Sequence, residues 1–183
     1  MSRLLAFSER FLFRTPAREQ VPAISADAAD RRFLLQVVQP GLVGLMDGSV
    51  STLAPLFAAA VATQNSWSAF VVGMAASIGA GISMGLAEGL SDDGKLTGRG
   101  HPALRGLICG AMTIVGGVGH TLPFLIKDFH MAIVVATIVV LAELGLITWI
   151  RYRYLKTPAL SAAIQVGLGG LIVFAVGVWL GAA

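Results

Sequence analysis

Five side chains in otherwise apolar stretches have the chemistry to bind a metal ion or carry a proton: Asp47, Met84, Glu88, His120 and Glu143. Asp47 is the most informative, because it is the one charged residue between Phe33 and Ala87. An ionised carboxylate inside a bilayer is costly unless it meets a partner, water or a metal. We therefore predict that Asp47 is a metal ligand. The alternative is a structural carboxylate that is hydrogen-bonded to a serine or to the backbone.

Met84 and Glu88 form a second candidate pair, because residues four apart share one helix face and lie about 6 Å apart along the axis. A carboxylate suits many divalent cations, whereas a thioether favours transition metals over Mg²⁺ and Ca²⁺. The pattern predicts an Fe²⁺ or Mn²⁺ site that can also release its ion, with Glu88 near the cytoplasmic mouth. The alternatives are that Met84 fills a helix interface and that Glu88 is a solvated residue at a helix end.

His120 and Glu143 complete the predicted metal ligands. Glu143 is expected to face the same inner vestibule or to pair with a basic residue. His120, shortly before Pro123, is interpreted as an exit ligand or proton carrier. Its alternative role is that of a hydrogen-bonded structural histidine beside a proline-distorted helix. Cys109 is the one cysteine and is predicted to be a small core residue, so neither a disulfide within the chain nor a cysteine metal cluster is expected.

The composition is that of an integral membrane protein. Hydrophobic residues make up 56% of the 183 residues and charged residues only 13%. Soluble domains contain roughly 25% charged residues. A helix that crosses a membrane needs about 20 mostly apolar residues. Five stretches meet this requirement and predict an all-α integral membrane protein with five transmembrane helices: Gln36 to Ala62, Trp67 to Leu90, Ala103 to Ile126, Met131 to Ile150 and Ala159 to Ala182.

The basic residues are distributed as a topology signal. Every lysine and arginine except Lys127 falls in the amino-terminal arm or around the loops after the second and fourth stretches. By the positive-inside rule, this distribution places the amino terminus in the cytoplasm and the carboxyl terminus outside. The excess of basic residues on the cytoplasmic side accounts for the net charge of +3. Membrane lipid is therefore an expected partner, whereas nucleic acid is not.

The first 34 residues are predicted to form a cytoplasmic amphipathic arm, and residues 35–183 a transmembrane transport domain. Apolar residues from Leu4 to Leu12 recur at near-helical spacing, which predicts a helix in the inner headgroup layer that ends before Pro16. A secretory signal is the weaker interpretation, because Glu9 and Arg10 interrupt any apolar core.

Two further patterns concern helix ends and helix packing. A helix with Ser25 or Asp27 as its N-cap is predicted to run into the first stretch as far as a break at Gln39-Pro40-Gly41. Small residues that recur every four positions let helix backbones approach closely in lipid. Such repeats predict tight packing and allow self-association: Gly81, Gly85 and Gly89; Gly106 and Gly110; Gly177 and Gly181.

Three motifs carry a resemblance to a known family: Met46-Asp-Gly-Ser-Val-Ser-Thr52, Ala80-Gly-Ile-Ser-Met-Gly-Leu-Ala-Glu88 and Gly116-Gly-Val-Gly-His-Thr-Leu-Pro-Phe124. With them the chain, from Phe33 onward, resembles the vacuolar iron transporter family and looks most like the membrane part of bacterial membrane-bound ferritins. The resemblance implies a five-helix homodimer that exports Fe²⁺ or Mn²⁺ from the cytosol in exchange for protons, with the ion path between the subunits. It implies Asp47 and Met84 as ligands on that path, and Glu88 matches the acid common after Ser-Met-Gly.

The chain also departs from the family pattern. Plant and protist members carry glutamates where this chain has Gln36 and Ala76, and a glutamate-rich cytosolic domain where it has only Ser91 to Pro102. The arm lacks a Glu-x-x-His ferritin signature, so a separate ferritin-like protein is a candidate iron donor.

The sequence thus predicts a transporter in a bacterial inner membrane, not an enzyme, that moves Fe²⁺ or Mn²⁺ against protons and needs no bound cofactor. Two alternatives stay open. One is a non-transporting membrane anchor or regulatory partner that derives from the same family. The other is a carrier or channel for a different divalent metal, such as Co²⁺ or Zn²⁺.

Overall fold

The computed structural model describes residues 28–95, 97–155 and 158–183. Every regular element in these ranges is a helix. Residues 32–183 belong to one compact unit. The predicted amphipathic helix of the arm and the predicted N-cap at Ser25 or Asp27 lie outside the described residues.

Within the described ranges, five helices are long and apolar enough to cross a membrane, which confirms the predicted count. The first begins earlier than predicted and the fourth ends later. We call them spans one to five: Asp30–Thr63, Ser66–Ser91, Pro102–Leu125, Phe129–Leu155 and Leu160–Ala182. The end of the bundle where span two ends and span three begins carries most of the described arginines, and we call it the basic end.

Span one is continuous past Pro40, so the predicted break at Gln39-Pro40-Gly41 is wrong. A π-helix at Leu34–Val38 precedes the proline, and the Gln39 backbone N–H bonds the carbonyl of Leu34. Proline has no N–H and its ring clashes with the carbonyl one turn before it. The wider π turn provides the room that the ring needs, so the helix is distorted without ending.

A second irregularity in span one lies at Thr52. It separates the α-helices Gln39–Ser51 and Leu53–Thr63. The Thr52 hydroxyl donates a hydrogen bond of 2.7 Å to the carbonyl of Gly48. Span one is therefore one long helix with a π-helix before Asp47 and a local irregularity at Thr52 after it.

Span three lies at the centre of the bundle, and glycines bring its neighbours close. A Cβ atom added at Gly44 would lie 2.1 Å from the carbonyl oxygen of Cys109, and one at Gly48 would lie 2.0 Å from that of Thr113. Spans one and three therefore touch backbone to backbone, and a methyl group at either glycine would not fit.

The other glycine repeats are also used within the chain. The backbones of Gly81, Gly85 and Gly89 in span two pack on Gly106 and Gly110 in span three. In span five, Gly177 and Gly181 pack on the backbones of Ala54 and Ala58 in span one. The tight packing predicted from these repeats is confirmed, whereas self-association through them stays a prediction.

We expect Gly48→Ala to destabilise the bundle, because spans one and three must separate to admit the new methyl group. Overpacking of this kind costs about 1–3 kcal/mol. The measurement is the free energy of unfolding from an SDS titration in mixed micelles. The matched control is Gly79→Ala in span two, where nothing lies within 4 Å of an added Cβ atom. Equal stability of the two variants would contradict the close contact.

Candidate functional site

Asp47 lies midway along span one, between the π-helix and the Thr52 irregularity. Its side chain is partly buried. None of the ion pairs formed by the described residues involves it. The Ser51 hydroxyl, one turn further along the same helix, lies near its carboxylate, which is the kind of neighbour that the structural alternative for Asp47 requires. An acid in the middle of the span thus has a hydroxyl nearby and no cation among these residues.

Glu88 has a different environment, because two arginines hold its carboxylate at the basic end. Arg99 donates to Oε1 from Nη2 at 2.7 Å, and Arg105 donates to the same oxygen from Nε at 2.9 Å. The Glu88 side chain is only 13% exposed, so its interpretation as a solvated residue is wrong. Its assignment as a metal ligand stays a prediction, and binding an ion there requires the arginines to release or share the carboxylate.

Asp92 completes this group, which we call the basic-end cluster: Glu88, Asp92, Arg99 and Arg105. Arg105 is fully buried. Its Nη2 lies 3.3 Å from Asp92 Oδ2 and also donates to the Asp92 carbonyl, and its Nη1 donates to the Gly100 carbonyl. The Gly94 backbone N–H holds the pKa of the Asp92 carboxyl below its ordinary value, with Thr97 and the two arginines contributing, whereas desolvation opposes the shift. The two negative charges of the carboxylates thus balance the two positive charges of the guanidinium groups.

Glu143 and His120 contact each other inside the bundle. Glu143 Oε2 lies 3.0 Å from His120 Nδ1, and the histidine is fully buried. A Cβ atom at Gly119 would lie 2.1 Å from the Glu143 carboxylate, so the glycine leaves the space that the acid occupies. Of the two expectations for Glu143, pairing with a basic residue is the one that this geometry matches.

The other ring nitrogen of His120 reaches Thr52 at the irregularity in span one. His120 Nε2 lies 2.9 Å from Thr52 Oγ1. Because the Thr52 hydroxyl donates to Gly48, it accepts from the histidine, so Nε2 carries a proton. The Nδ1 contact is then either imidazolium with carboxylate or neutral imidazole with carboxylic acid. The Glu143–His120 pair has no net charge in either form, which lowers the cost of burying it.

We predict that Glu143→Leu lowers the free energy of unfolding by about 1–3 kcal/mol, because it leaves His120 Nδ1 buried without a partner. Glu143→Gln is the matched control, since its amide can donate to Nδ1 when Nε2 carries the proton. It should lose less than half as much. The measurement is SDS-induced unfolding in mixed micelles. Equal losses for leucine and glutamine would show that the hydrogen bond to His120 does not contribute.

The five predicted ligands do not assemble into one site within a single chain. No group of three or more histidine, cysteine, aspartate or glutamate side chains that could hold a metal occurs among the described residues. Met84 is partly buried on span two, which also contributes Glu88 to the basic-end cluster. Sequence reasoning missed three partners of the predicted ligands: Thr52, Arg99 and Arg105. The one available signal was the acid pair Glu88 and Asp92, four residues apart, followed by two arginines.

Comparisons of this chain with protein-family models, with curated proteins and with solved structures found no match. The proposal for its function therefore starts from its own residues and their geometry.

Proposed function

We propose that this chain exports a divalent transition metal, Fe²⁺ or Mn²⁺, from the cytosol across a bacterial inner membrane in exchange for protons. The observation that carries the proposal is Asp47, an acid at the middle of a membrane-length helix with no cationic partner among the described residues. An ionisable group at that depth is favourable only where it meets an ion, a proton or water.

The irregular backbone around Asp47 supports an ion site. Transporters place coordinating groups on discontinuous helices near the middle of the membrane, where unwound turns expose polar backbone groups. Here Asp47 lies inside the regular α-helix Gln39–Ser51, and the departures from regular geometry are the π-helix Leu34–Val38 before that helix and Thr52 directly after it. π-Helices inside α-helices also occur frequently at functional sites.

In this proposal the ion path lies between two copies of the chain. Asp47 belongs to no group of three or more histidine, cysteine, aspartate or glutamate ligands among the described residues, and a two-fold partner would supply a second Asp47 and a second Met84. Carboxylate and thioether ligands suit Fe²⁺ and Mn²⁺. Protonation of Asp47 would weaken metal binding, which couples ion release to proton uptake. The resemblance in the Asp47 and Met84 motifs supports the same assignment.

Flux measurements on proteoliposomes test the proposal. We expect Mn²⁺ or anaerobic Fe²⁺ to enter liposomes that contain the protein faster than protein-free liposomes. An acidic lumen should accelerate uptake, since protons that leave the lumen exchange for the entering metal. Uptake equal to that of protein-free liposomes for both metals would overturn the proposal.

The basic-end cluster favours the second candidate, a non-transporting membrane anchor or regulatory partner. The acid that would capture a metal at that end, Glu88, is bound by Arg99 and Arg105. Calorimetric titration of the detergent-solubilised protein with Mn²⁺ separates the candidates. A transporter predicts binding that Asp47→Asn removes, whereas an anchor predicts no binding that depends on Asp47.

A further inference from the structure

An apolar cleft of about 390 Å³ lies between spans four and five and reaches span one. Its walls include Leu141 and Leu144 from span four, Gly167 and Leu171 from span five, and Phe57 from span one. The one polar side chain in its lining is Thr137. Its hydroxyl donates to the carbonyl of Ile133, so it presents no free donor to the cleft. The lining thus suits a hydrocarbon chain.

Glycine makes the cleft accessible near the basic end. Nothing lies within 4 Å of a Cβ atom added at Gly167, whereas at Gly177, further along the same helix, such an atom would lie 2.7 Å from the Ala54 carbonyl oxygen. Span five is therefore in close contact with span one at Gly177 and leaves space beside Gly167.

A cationic group lies on the same two spans, toward the basic end. Arg151 of span four donates from Nη2 to Gln165 Oε1 of span five at 3.0 Å, so it bridges the two helices that form the cleft. Gln165 is neutral, and Arg151 forms no ion pair with an acid among the residues that the structure describes. Its charge is therefore not compensated there, and four of the five guanidinium N–H groups remain for another acceptor.

The spacing of the charge and the cleft matches an amphipathic ligand. Arg151 follows Leu144 by about two helical turns, or roughly 10 Å along span four. Exposed aromatic side chains occur near the arginine in sequence at the end of this span: Trp149, Tyr152 and Tyr154. Aromatic residues of this kind are enriched where membrane helices meet the headgroup layer. A ligand here would meet a cation at one end and apolar side chains at the other.

We propose that the cleft between spans four and five binds an anionic phospholipid, with an acyl chain against Gly167, Leu144 and Phe57 and the phosphate at Arg151. Basic pockets between membrane helices recognise anionic headgroups in this way. A second copy of the chain is the other conceivable occupant, but the uncompensated charge of Arg151 favours an anion. This inference does not depend on metal transport.

Native mass spectrometry after incubation with equal amounts of palmitoyl-oleoyl phosphatidylglycerol and phosphatidylcholine tests it. We expect the wild type to retain phosphatidylglycerol over phosphatidylcholine by about fivefold, the preference that one arginine near an anionic headgroup gives. Arg151→Gln should bring this ratio close to one. Equal retention of the two lipids by the wild type would overturn the proposal without any variant.

The cleft itself is tested by Gly167→Leu, which fills it from span five. The matched control is Gly169→Leu, since Gly169 also has nothing within 4 Å of an added Cβ atom and does not line the cleft. We expect phosphatidylglycerol retention to fall about fivefold or more in Gly167→Leu, by loss of the buried acyl contacts, and to be unchanged in Gly169→Leu. Equal retention in the two variants would overturn the proposal. A changed oligomeric state of Gly167→Leu with unchanged lipid retention would also overturn it and would assign the cleft to a second copy.

Discussion

An asparagine in place of Asp47 is expected to reduce metal uptake into proteoliposomes to the level of protein-free liposomes. Asparagine preserves the size of the side chain and a carbonyl oxygen but removes the negative charge that a divalent ion needs and the proton that exchange needs. Loss of one charged ligand should exceed the roughly 1.4 kcal/mol that corresponds to a tenfold change, so we expect uptake to fall at least tenfold.

The control for this variant is Asp93→Asn, the same chemical change at an exposed acid in the loop at the basic end. It should leave uptake unchanged, and both proteins should show the same free energy of unfolding. Wild-type uptake by Asp47→Asn would contradict the assignment of Asp47 as the ion ligand. Equal losses in both variants would show that loss of charge in general, and not this site, determines transport.

Replacement of Arg105 by methionine is expected to destabilise the bundle more than either Gly48→Ala or Glu143→Leu. Arg105 is completely buried and contacts Glu88, Asp92 and the carbonyl of Gly100. Methionine removes the cation and leaves Glu88 and Asp92 facing each other with less compensation. Breaking a buried ion pair by removal of one partner costs about 3–5 kcal/mol. The free energy of unfolding in mixed micelles measures the loss.

Arg99→Met is the matched control for Arg105→Met, because Arg99 contacts the same two acids while its side chain remains 24% exposed. Water can take over part of its role, so the loss should be less than half of that for Arg105→Met. Equal stability of both variants would show that burial of Arg105 contributes nothing. The double variant Glu88→Gln with Arg105→Met should recover part of the loss, since an uncompensated acid is also removed.

The number of membrane helices was predictable from the sequence because each helix must present about 20 apolar residues to lipid. The irregularities of span one were not. Pro40 lacks a backbone N–H, and its ring clashes with a carbonyl of the preceding turn. The helix makes room for the ring in the π-helix Leu34–Val38 and then continues. At Thr52 the cause is a second proline: Pro55 has no N–H to donate to the carbonyl of Ser51, and its ring clashes with that carbonyl. The partner of the Thr52 side chain, His120, comes from span three.

The glycine repeats predict that a helix packs closely on a neighbour, but they do not predict which neighbour. Spacing of four predicted close packing at Gly81 and Gly85, and the structure confirms it. The partner helix depends on the connection between the spans: the short loop from Ser91 to Pro102 places span three beside span two. A repeat on one helix contains no information about which neighbour it contacts, so intrachain packing and self-association were equally compatible with it.

The candidate site was predictable in its residues and less so in its contacts. Asp47 was identified because one charge in a long apolar stretch is conspicuous, and among the described residues it forms no ion pair. Glu88 was identified by its spacing from Met84. Its partner Arg105 was not, because it was counted among the basic loop residues that indicate the cytoplasmic side. The long arginine side chain instead reaches Glu88 inside the bundle, a contact that depends on how spans two and three pack.

The central claim is that the Asp47 carboxylate is stabilised by a divalent ion in an assembled protein. Anomalous scattering from crystals soaked in Mn²⁺ under reducing conditions tests it most directly. We expect an anomalous peak at coordination distance from Asp47, shared with a second copy of the chain and absent in Asp47→Asn. An Asp47 side chain directed at lipid or paired with an arginine, with no peak beside it, would contradict the claim.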